Sequence, residues 1–175
     1  MIIFFDTEFH DLVKTPKLIS IGLVSEDSRE FYGELSDTYE VDECSEFVQD
    51  TVLPLLEGGD VLMSRAQLRG RLKDWLESFT EPVTLATDSL AWDWPRMHEL
   101  FPKPESWPAN VDRIPKLLSM NYLDDFERFE EAAEEAFANG LRRHHALDDA
   151  KANREGYLAA GGFWEVPKPT SRFTV

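Results

Sequence analysis

Two carboxylates stand directly after an apolar run at the start of the chain. Residues 2–5 read Ile-Ile-Phe-Phe, and Asp6 and Glu8 follow with one residue between them. Side chains two residues apart in a β-strand point to the same side, so Asp6 and Glu8 can converge on one hard cation, which oxygen ligands suit. In a chain with 34 acidic residues the same triplet also arises as a solvated strand end. The apolar run favours a rigidly held cation site.

A histidine and a further carboxylate stand near the other end of the chain. His144 precedes Asp149 by five residues, and the pair flanks the start of a predicted helix. An imidazole, with an ordinary pKa of about 6.5, suits a general base near neutral pH. The structural alternative is a capping aspartate beside an exposed histidine, and His145 leaves the choice of histidine open. Together the two motifs indicate a metal-assisted hydrolase.

A third acidic position is expected between these motifs, where a predicted strand ends and a helix begins. Two aspartates stand there, Asp88 at the strand end and Asp93 at the helix start. A carboxylate is favoured at a helix N-terminus in any case, which gives Asp93 a purely structural explanation. The residues alone leave both aspartates as candidates.

The elements that must position these motifs follow from hydrophobic spacing. Strands are predicted over residues 2–8, 18–24, 30–35 and 83–87, and helices over residues 45–53, 65–79, 94–101, 114–120, 126–139 and 146–160. Ser64 and Gly140 are the expected N-cap and end of two of these helices, and residues 163–175 are expected to be irregular. The order predicts one α/β domain over residues 1–175. Its mixed central β-sheet has antiparallel first strands and a parallel strand, and helices flank it.

The net charge of −16 is unusual for a nucleic-acid-binding protein, because such binding relies largely on phosphate contacts. A carboxylate cluster that binds divalent cations accounts for part of this charge. Basic residues flank the last motif and follow a predicted helix: Arg142, Arg143, Lys151 and Arg154, then Arg65, Arg69, Arg71 and Lys73. We therefore expect short substrates that are held close to the site.

Several other classes of protein are disfavoured by composition and motifs. Apolar runs fall short of the ~20 residues of a membrane span, and no secretory leader is expected. The single cysteine, Cys44, cannot form an intrachain disulfide, which favours a reducing cytoplasm. The sequence has no glycine-rich phosphate loop, no Gly-x-Ser-x-Gly motif and no cysteine pair for zinc.

The acidic and histidine motifs, taken in order, resemble the site of the DEDDh 3′–5′ exonuclease family, whose members are DnaQ-like or RNase T-like and have an RNase H-like fold. The five matching residues are Asp6, Glu8, Asp93, His144 and Asp149. The family pattern His-x-Ala-x-x-Asp selects His144 over His145 and leaves Asp148 as a solvated residue. The middle aspartate of the family follows an aromatic residue, which favours Asp93 over Asp88.

The closer resemblance is to small stand-alone bacterial and phage exoribonucleases related to RNase T. It is carried by Phe5-Asp6-Thr7-Glu8-Phe9 and by Leu18-Ile19-Ser20-Ile21-Gly22-Leu23-Val24 followed by Glu30-Phe31-Tyr32. The chain departs from the commoner pattern at Phe9, where threonine or glycine usually follows the glutamate. Phe9 is then either a base-stacking residue or part of the core.

The resemblance implies a metal-dependent exoribonuclease that releases nucleoside 5′-monophosphates from RNA 3′ ends, single-stranded or overhanging. Two Mg²⁺ (or Mn²⁺) ions would be held by Asp6, Glu8, Asp93 and Asp149, with His144 as general base. The implied substrate-binding candidates are Thr7, Phe9, Trp92, Arg142 and Arg143. A homodimer is implied by the family. A DNA-directed 3′–5′ exonuclease, or a non-catalytic nucleic-acid-binding module of the same fold, is the alternative.

Overall fold

A computed structural model describes residues 1–118 and 123–162 of the chain. The strands are β1 (Ile2–Phe9), β2 (Leu18–Ser25), β3 (Glu30–Leu35), β4 (Leu62–Met63), β5 (Val83–Thr87) and β6 (Val111–Leu117), and the α-helices are α1 (Arg65–Glu77), α2 (Leu90–Leu100), α3 (Leu123–Ala138) and α4 (Ala146–Ala159). A π-helical turn (Val48–Val52) and four 3₁₀ turns (Val41–Glu43, Leu53–Leu55, Gly59–Val61 and Pro104–Ser106) lie in the connections.

The six strands form one mixed sheet in the order β4-β3-β2-β1-β5-β6. β1, β2 and β3 pair as an antiparallel meander. β5 is parallel to β1, and β6 is parallel to β5. The predicted fold class is therefore confirmed: the domain is α/β, with a mixed sheet flanked by helices as in RNase H-like folds.

Alternating side chains of β1 supply two different cores. Ile3 and Phe5 are buried with residues of α1 and α2, whereas Phe4 is buried with Phe129 of α3 and Tyr157 of α4. This alternation is the period of two that a strand imposes. Because both faces of β1 are covered, its carboxyl end is held rigidly between α2 on one face and α4 on the other.

One predicted helix is wrong. Residues 114–120 were expected to be helical, but residues 111–117 form the edge strand β6, which pairs with β5, while residues 119 and 120 lie outside the described residues. Ile114 is exposed and Pro115 lacks a backbone donor, a combination that an edge strand tolerates. The prediction for residues 163–175 also lies outside the described residues.

The helix predicted over residues 45–53 is the π-helical turn Val48–Val52, and the boundaries of the remaining elements differ by a few residues. Helix α2 begins at Leu90, earlier than predicted, so that Pro95 lies inside the helix and Asp93 in its first turn. Ser64 is the N-cap of α1, as predicted, and accepts a hydrogen bond from the backbone N–H of Gln67. Within the described residues, no helix combines the length and apolar character required to cross a membrane.

Candidate active site

The sequence-predicted acidic and histidine residues meet at one cavity of about 700 Å³. The cavity opens where β1 and β5 end, next to the first turn of α2 and the start of α4. Its wall contains all five matched residues and the rival aspartate, namely Asp6, Glu8, Asp88, Asp93, His144 and Asp149. The carboxyl ends of parallel strands are the usual place for ligands in α/β sheets.

The first cluster joins β1 to the strand–helix junction after β5. Asp6, Asp88 and Asp93 each offer a carboxylate oxygen, and these oxygens lie within 4.8 Å of one another. Asp88 is exposed, whereas Asp93 is only 1% exposed. The structure therefore brings both candidate aspartates to Asp6, and burial distinguishes them.

Two threonines fix the carboxylate of Asp93. The hydroxyl of Thr7 donates to Oδ1 at 2.7 Å, and its backbone N–H donates to the same oxygen at 3.2 Å. The hydroxyl of Thr87 donates to Oδ2. Thr7, a candidate for substrate binding, thus contacts Asp93 in this structure and acts as an orienting residue.

The second cluster joins β1 to α4. Glu8, His144 and Asp149 offer ligand atoms that lie within 4.8 Å of one another. Their approach depends on Gly22, which pairs with Asp6 across β1 and β2. A Cβ at position 22 would lie 2.1 Å from the backbone nitrogen of Leu147, so the absence of a side chain lets α4 begin directly on the sheet.

His144 stands in a turn that reaches the cavity in an unusual backbone conformation. Its φ is 63°, which a non-glycine residue adopts rarely and which is a feature of functional sites. The imidazole packs edge-on against Phe47, with ring centroids 5.1 Å apart. Neighbouring His145 is instead buried and caps α4, its ring accepting from the backbone N–H of Asp148 at 3.4 Å.

The turn is tied to α4 by an ion pair that the sequence did not predict. Asp148 was expected to be solvated, but it is buried. Arg142 donates to Oδ2 of Asp148 from its backbone N–H at 3.1 Å and from Nε at 2.6 Å, and its Nη2 donates to Glu57 at 3.0 Å. The prediction that Asp148 is solvated is therefore wrong. Asp148 is buried because it pairs with the guanidinium of Arg142 at the start of α4. Within the described chain, Arg142 is not part of the cavity wall.

The cavity carboxyls have raised pKa values because burial disfavours their charged forms and they repel one another. Burial, then Asp93 and Glu8, raise the pKa of Asp6 well above its ordinary range. Burial and then Asp149 raise the pKa of Glu8 to about 8. Burial raises the pKa of Asp149 to about 7. Burial also raises the pKa of Asp93 to about 6, although the hydrogen bonds from the hydroxyls of Thr87 and Thr7 lower it.

The raised pKa values show that negative charge is concentrated in the cavity. Among the described residues of the cavity wall, Arg143 alone carries a compensating positive charge. A donor set made of carboxylate oxygens suits hard divalent cations such as Mg²⁺ or Mn²⁺. In contrast to the carboxyls, the pKa of His144 is lowered, first by burial and then by Arg143. The neutral imidazole is therefore favoured near neutral pH, as a general base requires.

Two aromatic side chains form part of the cavity wall. The rings of Phe9 and Trp92 are stacked, with centroids 5.6 Å apart and an interplanar angle of 20°. Phe9 is only half-buried, unlike Phe4 and Phe5 in the core, and Trp92 is exposed. Both candidates for base stacking are thus placed together beside the acidic clusters.

Of the basic residues near the last motif, Arg143 reaches the cavity. Its guanidinium lies over the ring of Phe137 at 4.1 Å and hydrogen-bonds to Glu134. Lys151 pairs with Glu30 at 2.9 Å. Arg154, on the same helix, donates to backbone carbonyl oxygens at the end of β2.

Sequence reasoning missed three features of the site. Glu130 and Glu134 of α3 lie on the cavity wall. Asn153 also lies there, one turn after Asp149. Gly22 carried a usable signal, since an isolated glycine inside a strand pattern suggests a close backbone approach.

The mixed sheet, consistent with an RNase H-like fold, thus carries at its strand ends two groups of side chains that could hold metal ions. Two proteins of Mycobacterium tuberculosis, from strains H37Rv and CDC 1551, are each 32% identical to the chain over 124 residues. The match covers 69% of this chain and 73% of each relative, and both are named 3′–5′ exoribonuclease. The chain therefore belongs to the exonuclease family of these proteins. No protein-family model matches it.

Proposed function

We propose that this chain is a metal-dependent 3′–5′ exoribonuclease of the DEDDh type, which removes nucleoside 5′-monophosphates stepwise from the 3′ end of RNA. The observation that carries the proposal is the convergence of five residues on one cavity: Asp6, Glu8, Asp93, His144 and Asp149. The names of the two mycobacterial relatives support both the polymer and the direction of cleavage.

The carboxylates fit two divalent cations, Mg²⁺ or Mn²⁺. By the family resemblance, Asp6 would contribute to both sites, Glu8 and Asp149 to the first, and Asp93 to the second. In the structure, the ligand atoms of Asp6 group with those of Asp93 and Asp88, and the ligand atoms of Glu8 group with those of Asp149. Two such ions stabilise the attacking and the leaving oxygens of an in-line displacement at phosphorus. The raised pKa values support this assignment, because bound cations would compensate negative charge that is both buried and crowded.

His144 would take a proton from the attacking water on an imidazole nitrogen. A ring nitrogen lies within 4.8 Å of carboxylate oxygens of Glu8 and Asp149, which would place the base next to the proposed cations. Burial and Arg143 favour the neutral ring, which can accept the proton. Phe47, packed edge-on against the ring, limits its rotation and its contact with bulk water.

The remaining candidates bind or orient the substrate. Phe9 and Trp92 would stack on a terminal base, an interaction worth ~1–3 kcal/mol per base and tolerant of sequence. Arg143 would contact a phosphate, and Thr7 would hold Asp93. Arg142 would act indirectly by supporting the turn that carries His144.

The proposal has two further parts, the oligomeric state and the location. The family resemblance implies a homodimer. The basic residues of α1 would then contribute to the surface by which one subunit guides RNA to the site of the other. A reducing cytoplasm as the location is supported by the lone buried thiol of Cys44.

The decisive experiment is a timed digestion of 5′-labelled RNA with a single-stranded 3′ end. The wild type and Asp6→Asn are compared with Mg²⁺, with Mn²⁺ and with EDTA, and DNA of the same sequence is digested in parallel. Asp50→Asn is the matched control, because Asp50 is exposed and lies outside the cavity. The expected result is a ladder that shortens from the 3′ end, requires metal, is lost in Asp6→Asn and persists in Asp50→Asn.

The other outcomes select between the alternatives. Faster cleavage of DNA than of RNA would favour the exodeoxyribonuclease. Cleavage of neither polymer, with a folded protein, would contradict the proposal and favour a non-catalytic module.

A further inference from the structure

Helix α4 presents three successive wall positions to the cavity. Asp149, Ala152 and Asn153 all line it, and they are spaced at i, i+3 and i+4, which places them on one helix face. The proposed function uses Asp149 as a cation ligand. Asn153 stands one turn further along, about 5–6 Å from Asp149 between Cβ atoms at ordinary helical geometry, and has no role in the chemistry described so far.

The side chain of Asn153 is largely buried, and its amide has no hydrogen-bond partner among the described residues. It is only 6% exposed, and within residues 1–118 and 123–162 nothing donates to or accepts from its amide. Its amide is not fully buried, because the fully buried side-chain atoms without a partner in the described part of the chain belong to Ser20, Arg96 and Asn110. The amide of Asn153 is instead accessible from the cavity that this residue lines. Asp93, Thr87 and Asp148, which are also buried, are all hydrogen-bonded. Asn153 therefore offers two donors and an acceptor at the cavity wall.

Packing alone does not require an amide at this position. The close contact between α3 and α4 is made by Gly156, where a Cβ would lie 2.7 Å from the ring of Phe129. An apolar residue of similar volume at position 153 would serve that packing equally well, so the amide is explained by what enters the cavity and not by the contact between the helices.

We propose that Asn153 is a substrate-specificity residue that hydrogen-bonds to a neutral group of the nucleoside next to the scissile phosphate. The proposal rests on the exonuclease function above. An amide both donates and accepts, as ribose hydroxyls and base edges do, whereas phosphate oxygens only accept. The distance of one helical turn from the cation ligand Asp149 matches a nucleoside group and not the phosphate itself.

The test compares Asn153→Leu, which keeps the volume but removes the polar atoms, with the wild type and with Asn139→Leu. Asn139 is exposed at the end of α3 and lies outside the cavity wall. Each protein digests an RNA oligomer, the same oligomer with a 2′-deoxynucleotide at its 3′ end, and oligomers with each of the four bases at that end. The readouts are kcat, KM and Tm.

The expected result is a loss of kcat/KM of about 5- to 10-fold in Asn153→Leu, the net effect of one hydrogen bond, with Tm unchanged or raised. The loss should be confined to substrates that carry the recognised group. If the wild type discriminates against the deoxy end and the variant does not, the partner is the ribose hydroxyl; if discrimination between bases is lost, the partner is a base edge. Asn139→Leu should behave as the wild type.

Equal kcat/KM for Asn153→Leu and the wild type on every substrate would overturn the proposal. So would a fall in Tm with an equal loss on every substrate, because Asn153 would then be a structural residue. These results differ from failure of the proposed function, in which the wild type itself cleaves no RNA.

Discussion

Gly22 of β2 and Leu147 of α4 are in backbone contact: a Cβ at position 22 would lie 2.1 Å from the Leu147 nitrogen. Since Gly22 is also the cross-strand partner of Asp6, this contact sets the distance between the carboxylates of β1 and the start of α4. One residue without a side chain thus couples the packing of the sheet to the assembly of the site.

Gly22→Ala should therefore displace α4 and separate Asp149 from Glu8. We expect a loss of stability of about 1–3 kcal/mol, the range for overpacking, with a loss of cleavage larger than the fall in Tm explains. Gly70→Ala in α1 is the matched control. Nothing lies within 4 Å of a Cβ there, and the change should stabilise by about 0.5–1 kcal/mol. A fully active Gly22→Ala would show that the site tolerates a displaced α4.

Removal of the Thr7 hydroxyl, which donates a hydrogen bond to Asp93, should weaken cation binding. In Thr7→Val the carboxylate loses the 2.7 Å hydrogen bond that orients it and lowers its pKa. We expect the Mg²⁺ concentration for half-maximal cleavage to rise about 10- to 100-fold, as for other partners of metal ligands. Thr84→Val is the control, because Thr84 lies at the start of β5, away from Asp93. An unchanged Mg²⁺ requirement would mean that Thr7 does not act through Asp93.

The stability of the metal-free protein should fall as pH rises. The folded chain binds protons on the cavity carboxyls more tightly than the unfolded chain, because their pKa values are raised. Their contribution is therefore fully present below the ordinary values of 3.8 for aspartate and 4.5 for glutamate, and it is lost as pH rises through about 6, 7 and 8. Tm should decrease by roughly 2–4 °C for each kcal/mol lost, and Mg²⁺ should restore it.

Asp6→Asn provides the internal check on that pH dependence. It removes one of the repelling charges, so the metal-free variant should have a higher Tm at pH 8 and a flatter profile than the wild type. Asp50→Asn should leave the profile unchanged. If Tm in EDTA does not depend on pH between 5 and 8, the carboxyls do not repel one another as their positions indicate.

Replacement of the proposed general base should lower the rate without removing the cations. We expect His144→Ala to reduce cleavage by about 10²–10⁴-fold, with metal content and Tm close to wild type. Wild-type activity should fall on acidification with a midpoint below 6.5, since the pKa of His144 is lowered. His98→Ala, an exposed histidine of α2, is the control. Loss of bound metal in His144→Ala would make this residue a ligand instead.

Glu134 and a substrate phosphate should compete for Arg143. The guanidinium hydrogen-bonds to Glu134 at the cavity wall, so Glu134→Gln should release it and lower KM for RNA a few-fold, within the small energy of an exposed ion pair. Arg143→Ala should raise KM and reduce its dependence on salt. Glu131→Gln changes the net charge equally, but Glu131 lies outside the cavity wall. An equal effect of both glutamate changes would indicate a general effect of charge.

The sequence by itself determined the local elements and the kinds of residue that do the chemistry. The apolar run before Asp6, the alternation in β2 and the capping residue Ser64 specify strands and a helix through neighbours in the chain. The order of these elements was sufficient for the fold class. The five proposed acidic and histidine positions needed the family resemblance as well, because the residues alone left Asp88 beside Asp93, and His145 beside His144, as candidates.

Only the tertiary structure decided which side chains are partners. β6 is a strand because β5 pairs with it, a non-local interaction that overrides local preference. Asp148 is paired because Arg142 folds back onto it, and Asn153 lines the cavity because it shares a face of α4 with Asp149. Burial, mutual repulsion and hydrogen bonding depend on distances between residues far apart in sequence. The charge state and geometry of the site are therefore set only when the fold brings β1 and α4 together.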